Sequence, residues 1–181
     1  MSKLVKRILI ALGVVAALVV GAMAFLNHKN RTASPPAQVT YSQNGYDLKV
    51  AYSRPTKKGR EIFGKLVPYG KVWRTGANEA TLFTTGTPLT IGGKALPAGT
   101  YSVFTIPEAS AWTVIFNKGE YMWGINMDKT SPRKPEDDVL QVVMPVTPLA
   151  TEVEPFTIAF EDGPTLAFSW DKTSVRVPVA R

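Results

Sequence analysis

The pattern of hydrophobic and polar positions divides the chain into one long apolar run and a series of short alternating segments. The run, Ile8–Leu26, contains no charged or polar side chain. Its nineteen residues would span about 28 Å as an α-helix, close to the hydrocarbon thickness of a bilayer. A helix without a polar face is not typical of a soluble protein surface. The run therefore predicts a membrane-spanning anchor or the core of a signal peptide.

The residues around this run bear on the choice between the two interpretations. Three basic residues precede it and two follow it: Lys3, Lys6, Arg7, Lys29 and Arg31. An uncleaved anchor is favoured because the run continues past a cleavage-like Ala22-Met23-Ala24, although cleavage near Ala24 stays an alternative. Basic residues ahead of the run favour a cytoplasmic N-terminus, so the rest of the chain would lie on the far side of the membrane. We expect residues 1–26 to be a signal anchor or signal peptide and residues 27–38 to be a linker.

Beyond the linker, apolar residues alternate with a period of two, which is typical of β-strands. Asn44-Gly45 and Gly92-Gly93 are hairpin signals between such segments. Clear strand patterns follow, and they include Thr100–Ile106, Ala111–Asn117, Val139–Val146, Phe156–Phe160, Leu166–Trp170 and Val175–Val179. The nearly continuous apolar run Val139–Val146 predicts a central strand. About nine short strands over residues 39–181 predict an all-β domain, an antiparallel β-sandwich.

Less regular stretches supply two smaller predictions. Arg60–Lys65 and Thr147–Val153 are each long enough for a short helical turn, and Asp171-Lys172 predicts a tight turn. Trp112 and Trp170 lie on apolar strand faces and are expected in the core.

Charge and composition exclude several classes of function. The net charge is +7, but residues 1–38 supply five positive charges and no negative one, so residues 39–181 carry 16 basic and 14 acidic side chains, a net of +2. A folded part this close to neutral is not expected to bind nucleic acid. There is no cysteine, and the single histidine, His28, precedes the domain. Thiolate chemistry, disulfides and histidine metal sites are thereby excluded, and no metal or cofactor is predicted.

The recognition chemistry of the domain is concentrated in one segment. Lys49–Arg74 contains eight Lys/Arg and one acid, and it leads into the block Trp73–Ala80. An arginine offers a planar fork to a carboxylate or phosphate, and an exposed aromatic ring offers a face to a sugar. Long irregular segments in compact domains usually carry function. The candidate binding residues are Arg54, Arg60, Tyr69, Trp73, Arg74, Asn78 and Glu79.

Three functions are compatible with this segment. The first is a binding module for a small anionic or carbohydrate ligand or an envelope protein. The second is an envelope hydrolase or lyase, in which Glu79 acts as general acid/base, Arg74 or Arg60 stabilises negative charge, and Asp128 or Asp137 supplies a second carboxylate. The third is a structural domain, in which Arg74 and Glu79 form an internal ion pair and Trp73 is buried.

Several motifs resemble those of a known family. The series YSRP, VWRTGANEAT, LPAGTYS and WTVIFN, within about Val39–Phe160, resembles the bacterial domain-of-unknown-function 2911 family. That resemblance implies an exported or membrane-anchored envelope protein, here a domain held in the periplasm by an inner-membrane anchor. It implies no activity and no catalytic residue. The run Tyr121–Met127 departs from the family pattern, which weakens the case for Trp123 as a site residue.

Overall fold

The computed structural model describes residues 1–181, which form two compact units, Met1–Ala33 and Ser34–Arg181. The first unit is helix α1, Lys3–Ala33, in which no residue is buried. Its mean hydropathy reaches 2.8, so by length and composition it could cross a membrane or serve as a signal sequence. The helix extends through residues 27–33 of the segment expected to be a linker, and the first strand begins at Pro36.

The second unit consists of ten β-strands, which confirms the predicted all-β, antiparallel class. The strands are β1 Pro36–Tyr41, β2 Leu48–Ser53, β3 Thr81–Thr85, β4 Leu89–Ile91, β5 Lys94–Leu96, β6 Gly99–Pro107, β7 Ala111–Asn117, β8 Asp138–Glu161, β9 Thr165–Val177 and β10 Val179–Ala180. Seven of them form a curled sheet in the order β1-β2-β3-β6-β7-β8-β9, and a second sheet has the order β10-β4-β5. A 3-10 turn, Pro135–Asp137, precedes β8.

The two hairpins predicted at Asn44-Gly45 and Gly92-Gly93 are present. Asn44 and Gly45 both have positive φ in the turn between β1 and β2. Gly92 and Gly93 connect β4 to β5, where Ile91 faces Lys94 across a two-residue turn. Positive φ at both central positions is the geometry that matches the twist of the flanking strands, and it explains why these residue types mark the turns.

The core lies on the inner face of the curled sheet, as the alternation predicts. Trp112, Val114 and Phe116 of β7 are buried, and so are the inward residues of β9, which include Trp170. The expectation that Trp112 and Trp170 belong to the core is confirmed.

The run Val139–Val146 belongs to β8, which lies between β7 and β9, so the predicted central strand is confirmed. Two other sequence-based expectations are wrong. The stretch Thr147–Val153 is not helical but continues β8, which bends where its register with β9 shifts between Pro148 and Val153. Asp171, at φ 53°, does not end a strand but lies within β9 as part of that irregularity. A bulge lets a long strand change direction without a turn, so local turn chemistry misidentified the element.

A short segment after β2 closes the curled sheet against the second half of β8. Residues 52–57, called here the closing segment, place Thr56 opposite Pro155 and donate the Lys57 amide to the Glu154 carbonyl at 2.9 Å. The Tyr52 hydroxyl donates to the Ile158 carbonyl (3.2 Å) and accepts from the Ile158 amide (2.9 Å). Burial raises the pKa of Tyr52, so the hydroxyl stays protonated and can serve both partners.

Replacement of Tyr52 by Phe tests this closure. The variant leaves the buried Ile158 amide without its hydroxyl partner, so we expect the free energy of unfolding to fall by about 1–3 kcal/mol. Tyr101→Phe is the matched control, because the Tyr101 hydroxyl only donates to the Pro97 carbonyl. Urea unfolding followed by tryptophan fluorescence measures both. Equal losses in the two variants would contradict a special role for Tyr52.

Candidate functional site

The block Trp73–Ala80 is divided between two faces of the sheet by one backbone pairing. The Trp73 amide donates to the Thr105 carbonyl at 2.7 Å, and the Thr105 amide donates back at 2.9 Å. Thr105 of β6 is fully buried and has the inward parity of Val103. Since residues paired across antiparallel strands share a face and successive residues alternate, Trp73 points into the core and Arg74 points out of it.

Trp73 is consequently part of an aromatic cluster rather than an open platform. Its ring stacks on Trp170 with centroids 5.8 Å apart and lies 4.9 Å from the Phe156 ring. Phe63 and Trp112 complete the cluster. With its ring surrounded in this way, Trp73 contributes to packing, as one of the three hypotheses expected.

The turn that follows Arg74 has an energetically unfavourable backbone conformation. Thr75 and Asn78 have φ of 55° and 57°, and a β-branched residue is rare in that region. The Thr81 hydroxyl fixes the turn by donating to the Thr75 carbonyl at 2.7 Å. Gly76, at φ 149°, passes so close to β2 that a Cβ there would lie 2.9 Å from the Ser53 carbonyl oxygen. Strain of this kind persists only where the surroundings enforce it, and it clusters at functional sites.

Arg74 is the polar side chain that this turn presents on the outer face. It does not form the ion pair with Glu79 that the structural hypothesis expected; its hydrogen bond runs from Nε to the Gly76 carbonyl at 3.3 Å. Glu79 instead accepts from the Ser53 hydroxyl at 3.3 Å. Burial lowers the pKa of Arg74, because the half-buried guanidinium has lost hydration without gaining a carboxylate.

Residues 118–134, the outer loop, cover this face of the sheet. Its Tyr121 ring packs edge-on against Phe104 of β6, with centroids 5.5 Å apart. Its Gly124 amide donates to the Asn78 carbonyl at 3.0 Å. Gly124 lies directly on Arg74, since a Cβ at Gly124 would come within 2.5 Å of the arginine Cδ. The outer loop thus reaches the turn and forms a roof over the arginine stem.

A groove of about 450 Å³ lies beside this roof, on the same face. It is lined by Leu82, Thr100, Ser102, Gly119, Glu120, Tyr121 and Met122. Arg74 is not among its lining residues, so the groove and the arginine are neighbouring features of one surface.

The two ends of the outer loop are held by a polar network at the start of β8. Arg133 donates through Nε to Asp138 Oδ1 at 2.9 Å and forms a second bond through its other nitrogen. Asn117 also donates to Asp138, at 2.8 Å, and Gln141 donates at 2.7 Å. Burial opposes ionisation of Asp138, but these donors outweigh it and hold the pKa of the carboxyl below its ordinary value.

The other predicted binding residues are not gathered at Arg74. Arg54 donates to the Phe156 carbonyl and the Thr157 hydroxyl, in the closing segment's contact with β8. Arg60 donates to the carbonyls of Lys57 and Thr56. Tyr69 is exposed and packs near Gly64. The structure therefore brings together Arg74, Asn78 and Glu79 and separates them from the other four.

The carboxylates suggested as partners of Glu79 have other contacts. Asp128 accepts from the amide and the hydroxyl of Thr130, and these bonds lower the pKa of the Asp128 carboxyl. Asp137 pairs with Lys118 at 3.7 Å.

Two residues near the turn, Ser53 and Gly124, are not among the binding residues predicted from the sequence. Nothing in the local sequence marks Gly124 as a contact of Arg74, because the two are fifty positions apart and meet only through the fold.

Comparison with known families assigns the domain but not its activity. A family model described as "Protein of unknown function (DUF2911)" matches residues 34–179, so the chain belongs to that family. Neither the curated proteins nor the solved structures contain a match to the chain.

Alanine at Gly76 tests the close approach of the turn to β2. Gly59→Ala is the matched control, because Gly59 also has positive φ but has open space where a Cβ would lie. Both variants strain the backbone, whereas only Gly76→Ala also drives a methyl group into the Ser53 carbonyl. We expect Gly76→Ala to lose about 1–3 kcal/mol more stability than the control, measured by urea unfolding. A loss no larger than that of Gly59→Ala would show that the turn can move away.

The Asp138 network predicts a dependence of stability on pH. The folded-state pKa lies below the ordinary value of 3.8, so the stabilisation is complete above that value and is lost as the pH falls through the folded-state pKa. We expect Asp138→Asn to lower the melting temperature at about pH 6 and to lower it less at about pH 3, below the ordinary value, where the carboxyl of the unfolded chain is largely protonated. Thermal melts at both pH values measure this. If the difference in melting temperature between wild type and Asp138→Asn does not become smaller at acidic pH, the stabilisation comes from packing rather than from the charge of Asp138.

Proposed function

We propose that this member of the DUF2911 family is an extracytoplasmic binding domain, delivered or anchored by α1, that holds a small anion at Arg74. The ligand class is a carboxylate or phosphate group. The outer loop supplies one wall of the site and the turn Thr75–Asn78 the other.

The observation that carries the proposal is the state of the Arg74 guanidinium. Three other arginines of the domain have two acceptors each: Arg54 and Arg60 each bond two oxygens, and Arg133 bonds both oxygens of Asp138. Arg74 has one long bond to a carbonyl and no carboxylate within ion-pair distance. Removing a charge from water without pairing it costs stability, so an anion that supplies the missing acceptors would bind favourably.

The guanidinium is also reachable. The buried side-chain atoms without a hydrogen-bond partner lie elsewhere, on Thr56, Thr87 and Glu161. The terminal nitrogens of Arg74 therefore keep contact with solvent, even though Gly124 covers the aliphatic stem.

An anion fits this surface better than a sugar does. Carbohydrate recognition uses an open aromatic face, and the Trp73 ring is packed among Trp170, Phe156 and Trp112. The hydrolase or lyase alternative has less support, because Asp128 and Asp137 are engaged by Thr130 and Lys118 and offer Glu79 no second carboxylate.

The proposed location follows from α1 and the charges before it. Lys3, Lys6 and Arg7 favour a cytoplasmic N-terminus, which puts the domain on the opposite side of the membrane. In a bacterial envelope this is the periplasm, with the domain held at the inner membrane or released by cleavage near Ala24.

Replacement of Arg74 by Gln separates a ligand site from a structural contact. The wild-type protein is titrated with inorganic phosphate and with succinate, and the NMR chemical shifts of the Gly76 and Gly124 amides are monitored. We expect these shifts to saturate in the wild type. Loss of charged hydrogen bonds should weaken the binding roughly tenfold or more in Arg74→Gln. Arg176→Gln is the control, because it removes the same charge from an exposed position on β9.

Stability provides the second readout. Arg74→Gln removes a desolvated charge that has no carboxylate partner, so the melting temperature should be unchanged or higher. A marked loss of stability, together with unchanged anion binding, would overturn the proposal and make Arg74 a structural residue.

A further inference from the structure

The outer loop carries apolar side chains that the domain does not use. Met122 is 92% exposed, Met127 is fully exposed, and the large Trp123 ring is 39% exposed. They lie within six consecutive residues, on a loop that also presents Lys118, Lys129 and Lys134 to solvent. Large apolar side chains grouped in this way on a surface mark a contact site rather than a chance exposure.

The outer loop lies close to Ser34, where the chain enters the domain, and this position indicates which partner the exposed apolar side chains contact. Ser34 is the first residue of the domain, and its carbonyl accepts from the Asn78 side-chain amide at 3.1 Å. The Asn78 carbonyl accepts from the Gly124 amide at 3.0 Å. One residue thus connects the entry of the chain with the tip of the outer loop, so the exposed apolar group lies at the end of the domain where the chain enters.

Covalent connectivity limits how far that end can lie from a membrane that α1 crosses. Helix α1 ends at Ala33, the residue before Ser34. The apolar run ends at Leu26, and the seven helical residues that follow rise about 10 Å, little more than the headgroup layer. The chain therefore enters the domain close to the level of the lipid headgroups.

We propose that the tip of the outer loop, Met122, Trp123 and Met127, inserts into the interfacial layer of the bilayer that α1 crosses. This inference rests on the proposed anchoring by α1 and is independent of anion binding at Arg74. The indole ring and the methionine side chains suit the boundary between headgroups and acyl chains.

The charges around the tip fit the same partner. The outer loop contains Lys118, Lys129, Arg133 and Lys134 against Glu120 and Asp128, a net of +2. Arg133 pairs with Asp138 and Lys118 pairs with Asp137, which leaves the exposed Lys129 and Lys134 to meet lipid phosphates. A basic rim around an apolar tip is the arrangement expected of a segment that lies on an anionic membrane surface.

Site-directed spin labelling of the full chain tests the insertion. The protein has no cysteine, so Met122→Cys and Met127→Cys each give a single labelling site, and both positions are exposed enough to tolerate a nitroxide. Ser42→Cys is the control, because it lies beyond the far end of β1, about 20 Å along the strand from Pro36. Ala17→Cys, in the middle of the apolar run, reports whether α1 itself is inserted.

The four labelled proteins are reconstituted into vesicles of phosphatidylcholine and phosphatidylglycerol, and collision rates with oxygen and a water-soluble nickel chelate are measured. We expect the chelate to reach the Met122 and Met127 labels several-fold less than the Ser42 label, while oxygen reaches them more. A buried Ala17 label with loop labels as accessible to the chelate as Ser42 would overturn the insertion and leave the anchor standing, with the apolar tip assigned to another partner. An accessible Ala17 label would overturn the anchor and this inference with it.

Discussion

The reciprocal pairing of Trp73 with Thr105 is the constraint on which the two sides of the domain depend. It aligns the start of the Trp73–Ala80 block with β6, and alternation along an extended chain then sends neighbouring residues in opposite directions. Trp73 completes an aromatic cluster with Trp170 and Phe156, while Arg74 is carried to the other face beneath Gly124. A shift of one residue in this pairing would bury a guanidinium among tryptophan rings and expose an indole, so the core and the outer surface specify the same register.

The basic residues of the segment before this block are only partly paired within the fold. Lys57 bonds Glu152 and Asp171 at 2.6 and 2.8 Å, and these bonds raise the pKa of the lysine. Arg54 and Arg60 bond main-chain oxygens that closing segment and β8 bring within reach. Most of the charge excess along the chain nevertheless lies on the surface, because Lys49, Lys58, Arg60, Lys65 and Lys71 are exposed. Only Lys57 receives carboxylates, from strand residues about a hundred positions later, and no strand delivers a carboxylate to Arg74.

What the sequence could predict follows the range of the interactions involved. Hairpins depend on two adjacent residues, so Asn44-Gly45 and Gly92-Gly93 were sufficient to place β1–β2 and β4–β5. Inward residues such as Trp112 and Trp170 follow from alternation within a single strand. The run Val139–Val146 was sufficient to predict an interior strand, but the exposure of Val143 depends on what covers the sheet, which the run does not encode. The expected Arg74–Glu79 pair does not form, because three of the four residues between them, Thr75, Gly76 and Asn78, have positive φ, and Glu79 accepts from Ser53 instead.

Asn78 connects the proposed anion site to the proposed membrane contact. Its side chain holds Ser34, its carbonyl holds Gly124, and its positive φ lets both bonds form from one position in the turn. The outer loop in turn covers the Arg74 stem with Gly124 and exposes Met122 two residues earlier. If lipid stabilises one position of this loop and the anion binds that position more tightly, then lipid contact raises the affinity for the anion. The bound anion must then raise the affinity of the loop for lipid by the same factor. Because the main-chain bond between Gly124 and Asn78 joins the tip of the loop to the turn, such coupling would act through that contact.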